Sequence, residues 1–163
     1  GLLADDVSPE IGDILVDSSV AIKRNIANTL FVMAVSGSTN QSAIGIYAGD
    51  RESAYVPVSA RLDKVPTGIE DSSLPERDPT YDSVFTDRKT VVVNSLGEGQ
   101  VNVCGQGGDI AAGDLIVTSS VVGKGMKQSD DILRGCTVAK ARESVTFTDA
   151  SDIRQIACIY LCG

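Results

Sequence analysis

Gly12-Asp13-Ile14-Leu15-Val16-Asp17-Ser18-Ser19-Val20 returns near the far end of the chain as Gly113-Asp114-Leu115-Ile116-Val117-Thr118-Ser119-Ser120-Val121. Each copy reads as a Gly-Asp turn entering a short β-branched strand that leaves through two serines. A recurrence this close within one small domain implies that one β unit is used twice, as the halves of a pseudo-symmetric barrel or sandwich. The residues after each copy are also similar. A lysine-bearing turn comes first (Lys23 and Arg24; Lys124 and Lys127), then an apolar strand carrying Val32 and Ala34 or Val138 and Ala139. Gly12, Asp13, Gly113, Asp114, Gly123 and Gly125 are therefore the expected structural turn motif, with both aspartates accepting hydrogen bonds from backbone amides.

Outward from these copies the chain keeps the same texture. Residues 11–20, 30–35 and 43–47 read as a β meander separated by Asn/Lys and Gly-Ser-Thr-Asn turns. Strands resume at 90–94, turn at Gly97-Glu98-Gly99, and continue through the alternating stretch 100–104. A turn at 105–108, a short bridge at 109–112, a hairpin at Gly123-Lys124-Gly125 and closing strands at 136–141 and 155–161 complete the pattern. The best helix signal is a single turn at 130–133, capped by Ser129. Residues 49–89 differ, holding four of the five prolines and the charged runs Glu70-Asp71 and Glu76-Arg77-Asp78. They read as a long surface arm or insertion within a single β domain covering 1–163. The expected fold class is all-β, a small barrel or sandwich built from two similar β units with a long Pro-rich surface excursion.

Composition narrows the function. The 163 residues are 42% hydrophobic but only 4% aromatic and lack tryptophan, so the core is aliphatic, and stacking platforms for bases or sugars lose ground. A net charge of −8 argues against phosphate backbones and anionic lipid. No apolar run approaches the roughly 20 residues that span a bilayer. Neither nucleic acid nor membrane insertion is expected. Cys104, Cys136, Cys158 and Cys162 show no C-x-x-C spacing and no histidine accompanies them, so they read as buried free thiols, the alternative being a disulfide between distant positions. On one strand Cys158 and Cys162 would lie roughly 13 Å apart, too far to bond to each other.

Catalytic constellations are scarce. Without histidine the Ser-His and Cys-His arrangements are missing. A Ser-Lys dyad from Ser119 or Ser120 with Lys124 or Lys127 is formally available, but serines and a lysine around a turn are routine surface features. Asp130-Asp131 reads as a solvated turn, and Asn40-Gln41-Ser42 is a lone glycosylation triplet. Gly105-Gln106-Gly107-Gly108-Asp109 lacks the lysine and the helix of a phosphate loop. The reading is of a non-enzyme with no catalytic residue, no cofactor and no metal. The start at Gly1, without methionine, reads as a processed product or an excised piece of a longer chain.

The stretch from Val91-Val92-Val93-Asn94-Ser95-Leu96-Gly97-Glu98-Gly99 through Gly113-Asp114-Leu115-Ile116-Val117-Thr118-Ser119-Ser120 to Gly123-Lys124-Gly125-Met126-Lys127-Gln128, with Thr137-Val138-Ala139-Lys140-Ala141, carries a resemblance. It resembles a β-rich module of structural proteins of large DNA viruses, especially algal ones, and of tail-fibre and neck-appendage proteins of tailed phages. The Gly12-Asp13 half fits the same module loosely. In those proteins the module often lies near a self-cleaving intramolecular chaperone at the C-terminus of a trimeric fibre. The resemblance implies a virion structural protein, assembled in the host cytoplasm and exposed on the particle as part of a homotrimeric tail fibre, spike, appendage or minor capsid component. Implied partners are copies of itself, other virion proteins and a host surface receptor. This chain departs from the pattern at Cys136, where the module has tyrosine, and in ending at Gly163 without a helical chaperone segment, so no catalytic residue carries over. Alternatives are a receptor- or glycan-binding head, for which Tyr47, Tyr55 and Tyr81 are the candidate aromatics, and a self-cleaving appendage domain.

Overall fold

The computed structural model describes residues 1–23, 29–50 and 88–162. It is all-β. Among the described residues ten strands run in chain order: β1 (Leu2–Leu3), β2 (Ile14–Lys23), β3 (Thr29–Val35), β4 (Ala43–Asp50), β5 (Val91–Asn94), β6 (Leu96–Cys104), β7 (Leu115–Thr118), β8 (Gly125–Lys127), β9 (Thr137–Ala141) and β10 (Ile153–Leu161). A single 3₁₀ turn, Gly105–Gly107, is the one helical element among the described residues.

The strands form two five-membered units of identical connectivity. The first has the order β1-β3-β2-β4-β5, and the second is the closed barrel β10-β6-β8-β7-β9. In each, the first strand runs parallel to the third (β1 with β3, β6 with β8) and every other named pair is antiparallel. The second unit closes along the whole of β6 and β10, from Leu96–Leu161 to Cys104–Ile153. The first closes more briefly, through an antiparallel bridge between Leu2 and Thr90, with Leu3 N–H donating to Lys89 O at 2.9 Å. The repeated unit is thus a five-stranded one, as the two similar β units expected from sequence, closed along a full ladder only in the second copy. Structural equivalence also pairs β3 with β8 and β4 with β9, so Val138 and Ala139 answer to β4 and not to the strand holding Val32 and Ala34.

Packing explains why the Gly-Asp copies are followed by unbroken apolar runs. Successive side chains on a strand point to opposite faces. Ile14 and Leu15 are both fully buried, yet Leu15 belongs to the first ring's core with Leu3, Tyr47 and Val91, while Ile14 joins the larger core of the second. Ile46 and Tyr47 divide in the same way. The larger core holds Val101, Val103, Ile116, Ala139, Ala141, Ile156 and Cys158 together with Ile14, Ala43 and Ile46, so it is continuous across the junction. Each fully buried aliphatic side chain of this kind contributes about 1.5–3 kcal/mol.

Several sequence expectations are corrected. Gly97-Glu98-Gly99 lies inside β6 and is not a turn. Residues 130–133 form no helical turn: Asp130 and Asp131 are bends, and the Asp130 carboxylate accepts from Ile132 N at 3.2 Å. Of the expected arm at 49–89, Gly49 and Asp50 belong to β4, and Lys89 pairs with Asp50 at 2.7 Å; residues 51–87 lie outside the described residues. The bridge expected near 109–112 is present, as Ile110 paired with Val145.

Candidate functional site

Both Gly-Asp turns adopt one geometry. Gly12 and Gly113 each have φ +99°, in the left-handed region that favours glycine. Asp13 N–H donates to Glu10 O at 2.9 Å, and its Oδ2 accepts from Glu10 N at 3.0 Å. Asp114 N–H donates to Ala111 O at 3.0 Å, and its Oδ2 accepts from Ala111 N at 2.8 Å. The next strands match as well: Tyr47 N donates to Asp13 O and Ala141 N to Asp114 O, both at 2.8 Å. The expected amide-binding role of both aspartates is what the turns display.

Their surroundings differ. The first turn is pressed into the second ring. Asn102 N donates to Gly12 O at 2.9 Å, and Asn102 Nδ2 donates to Asp13 Oδ1 at 2.7 Å and to Ile11 O at 3.0 Å. Gln155 Nε2 donates to Asn102 Oδ1 and to Ile11 O, each at 3.1 Å. From the other side comes the β7–β8 connection. Ile14 N donates to Gly123 O, and Gly123 N donates to Ser36 O, each at 2.8 Å. The Lys124 ammonium then reaches Asp13 Oδ1 directly and Glu10 Oε2 at 3.2 Å. The Asp13 and Lys124 side chains are only 6% and 7% exposed, whereas Glu10 opens to solvent. Burial alone pulls the Lys124 pKa down, but the hydrogen bonds and charges of Asp13 and Glu10 together hold it above the ordinary lysine value.

Lys124 and Ser119, expected on the surface, are both buried. Ser119 Oγ donates to Lys124 O at 2.8 Å, while the Lys124 amine points to Asp13, so the formal Ser-Lys pair is not assembled there. Ser120 Oγ accepts from Gln106 Nε2 at 2.6 Å, and Lys127 pairs with Asp114 at 2.7 Å. Gly123 has φ +75°, and a Cβ on it would lie 2.7 Å from the Asp13 carboxylate. Gly125 is needed for space: its Cβ would meet Ile116 Cγ2 at 2.6 Å. Four residues of the turn motif (Gly12, Asp13, Gly123 and, through its own ring, Gly125) therefore gather around one junction, while Gly113 and Asp114 stand apart. No sequence pattern singles out Glu10 or Asn102; the one signal is that a repeated Asp inside an apolar run needs a polar partner.

Beside the junction a cleft of about 450 Å³ lies between the rings, lined by Tyr47, Asn94, Glu98, Gln100 and Tyr160 among others. Tyr47, expected as an exposed aromatic, is buried; its hydroxyl donates to Asp50 Oδ1 at 2.5 Å, and burial followed by the Asp50 carboxylate pushes its pKa up to about 12. Tyr160 is buried as expected, donating to Gln100 O and accepting from Gln100 N, each at 2.8 Å. Tyr55 and Tyr81 lie outside the described residues. The four cysteines are free: Cys104, Cys158 and Cys162 are buried and Cys136 is half-buried. Burial pushes the Cys158 thiol up to about 12 and the Cys162 thiol to about 11. Among the described residues no group of three or more Cys, Asp or Glu side chains is placed to hold a metal ion, and no helix is long and apolar enough to cross a membrane. Comparison of the chain with protein families, with curated proteins and with solved structures returns no match.

Proposed function

We propose that the chain is a non-enzymatic structural module of a virion, a building block of a homotrimeric tail fibre, spike or appendage exposed on the particle. The observation that carries this reading is the commitment of the buried polar chemistry to one task. The Gly12-Asp13 turn, Asn102, Gln155 and Lys124 hold the first five-stranded unit to the closed barrel across a shared core. The outward surface is suited to contact. Beyond Val16, β2 has β3 as its sole strand partner among the described residues, and this two-stranded ribbon pairs Val20 with Phe31, 51% and 42% exposed. A ribbon of two strands is marginal in water and gains by packing against a neighbour. The resemblance of residues 91–141 to fibre and appendage modules supplies the virion context, and an acidic surface agrees with it.

Light scattering of the purified chain, beside a chain lacking residues 52–86, tests the reading. The expected result is a trimer for the full chain and a smaller species without the excursion. A monomer in both samples would overturn the trimeric fibre.

A further inference from the structure

The Asp13–Lys124 contact joins an amine and a carboxyl group, in near-complete isolation from water, on elements from two different rings. We propose that Lys124 and Asp13 condense spontaneously into an isopeptide bond that staples the first ring to the second, with Glu10 as the proton carrier. This proposal does not depend on the virion reading.

Four features of the junction carry it. First, the reactants are in place: the Lys124 amine touches the Asp13 carboxyl group at Oδ1. Holding two groups in reactive contact is equivalent to effective concentrations of roughly 10⁵–10⁸ M. Second, the site is dry, with Asp13 and Lys124 side chains 6% and 7% exposed. Water that would reverse amide formation is kept from the pair. Third, both carboxyl oxygens of Asp13 have fixed donors. Glu10 N donates to Oδ2 at 3.0 Å and Asn102 Nδ2 to Oδ1 at 2.7 Å, so negative charge developing during attack meets preorganised N–H groups. Fourth, a second carboxylate stands beside the amine. Glu10 Oε2 is 3.2 Å from Lys124 Nζ, and its 80% exposed side chain can exchange protons with solvent.

The step balances without any further reactant. Glu10 carries a proton from the Lys124 ammonium to Oδ1 of Asp13, and the freed lone pair on Nζ attacks Cγ of the resulting carboxylic acid. A tetrahedral centre forms, with its oxyanion on Oδ2 facing the Glu10 amide. A second proton passes from Nζ by way of Glu10 to Oδ1, the Cγ–Oδ1 bond breaks, and one water leaves. An ammonium and a carboxylate become an amide and water, with no oxidation or reduction. Gly123 is part of the arrangement, since a side chain there would strike the Asp13 carboxylate.

Intact mass of the purified full chain reads the outcome directly. The expected mass is lower than that of the sequence by one water, and protease digestion yields one branched peptide joining the segment containing Asp13 to that containing Lys124. The variants Lys124→Arg and Asp13→Ala are expected at full mass whether or not they fold well. Glu10→Gln, which alters an exposed side chain and spares the buried pair, is expected to remain largely unlinked. A wild-type chain at full mass overturns the proposal, as does a missing water that maps to a linear peptide. Linking in Glu10→Gln at the wild-type rate overturns the role given to Glu10.

Discussion

The turns at Gly12-Asp13 and Gly113-Asp114 share a φ of +99°, the same amide hydrogen bonds and the same strand connections, yet one is enclosed and the other faces solvent. Asp13 meets its lysine across the junction of two rings, with both side chains under 10% exposed; Asp114 meets Lys127 within its own ring, with side chains 25% and 37% exposed. A Cβ on Gly12 would strike Asn102 and Gln155, whereas one on Gly113 would meet nothing within 4 Å. Local sequence therefore sets the turn, and tertiary placement alone decides how much stability rests on it.

Removing each carboxylate separates the two turns most strongly. Asp13→Ala leaves the buried Lys124 ammonium with only the exposed Glu10 carboxylate and orphans the Asn102 amide, and is expected to cost about 3 kcal/mol in denaturant unfolding. Asp114→Ala is expected to cost under about 1 kcal/mol, because its partner stays solvated. Equal losses would mean that the junction is no more sensitive than the surface. The next effect concerns the glycines. Gly113→Ala should cost about 1–2 kcal/mol from the left-handed backbone alone. Gly12→Ala carries that strain plus contacts at 2.7 Å with Asn102 Oδ1 and Gln155 Nε2, and should exceed it by about 1 kcal/mol or more in the same assay.

The smallest effect is a pH dependence. The Lys127 hydrogen bond, helped by the Ala111 amide, holds the Asp114 pKa below the ordinary aspartate value. A carboxyl group whose folded pKa lies below its unfolded one stabilises the protein above the unfolded value and loses that contribution as pH falls through the folded one. Wild type should therefore exceed Asp114→Asn by roughly a few tenths of a kcal/mol at neutral pH, a gap that closes in acid. A gap that persists in acid would assign the effect to the hydrogen bonds rather than to the charge.

Much of the ring architecture is legible in the chain because the two copies announce it. The Gly-Asp pair, the β-branched run after it and the glycine turns each encode local geometry, and local geometry is what a sequence carries most directly. The closures are harder to read. Leu2-Leu3 is too short to register as a strand, and it qualifies only by pairing with β3 and Thr90. Gly97-Glu98-Gly99 resembles a turn in isolation, but β10 pairs with β6 along its whole length, and Gly99 leaves the space that the Tyr160 ring occupies. Lys124 misleads for a related reason: a lysine between two glycines looks solvated until a carboxylate from another ring is placed over it. Glu10 and Asn102 lie far from Lys124 in sequence, and nothing in their own neighbourhoods distinguishes them.

The unequal closure of the two rings orders the events of folding. Every strand of the second ring lies between Leu96 and Leu161, and its closing ladder joins those two ends. The first ring waits for β5, which begins at Val91, long after β4 ends at Asp50. Closing the wider span from Leu2 to Thr90 carries the larger entropic penalty, and sequence-distant pairings form more slowly. The second ring is thus expected to complete first and to present a finished Gly123-Lys124 corner on which the Gly12-Asp13 turn settles. Although the first ring leaves the ribosome earlier, it folds later, and amide protons on β7 and β9 should gain protection before those on β2 and β4.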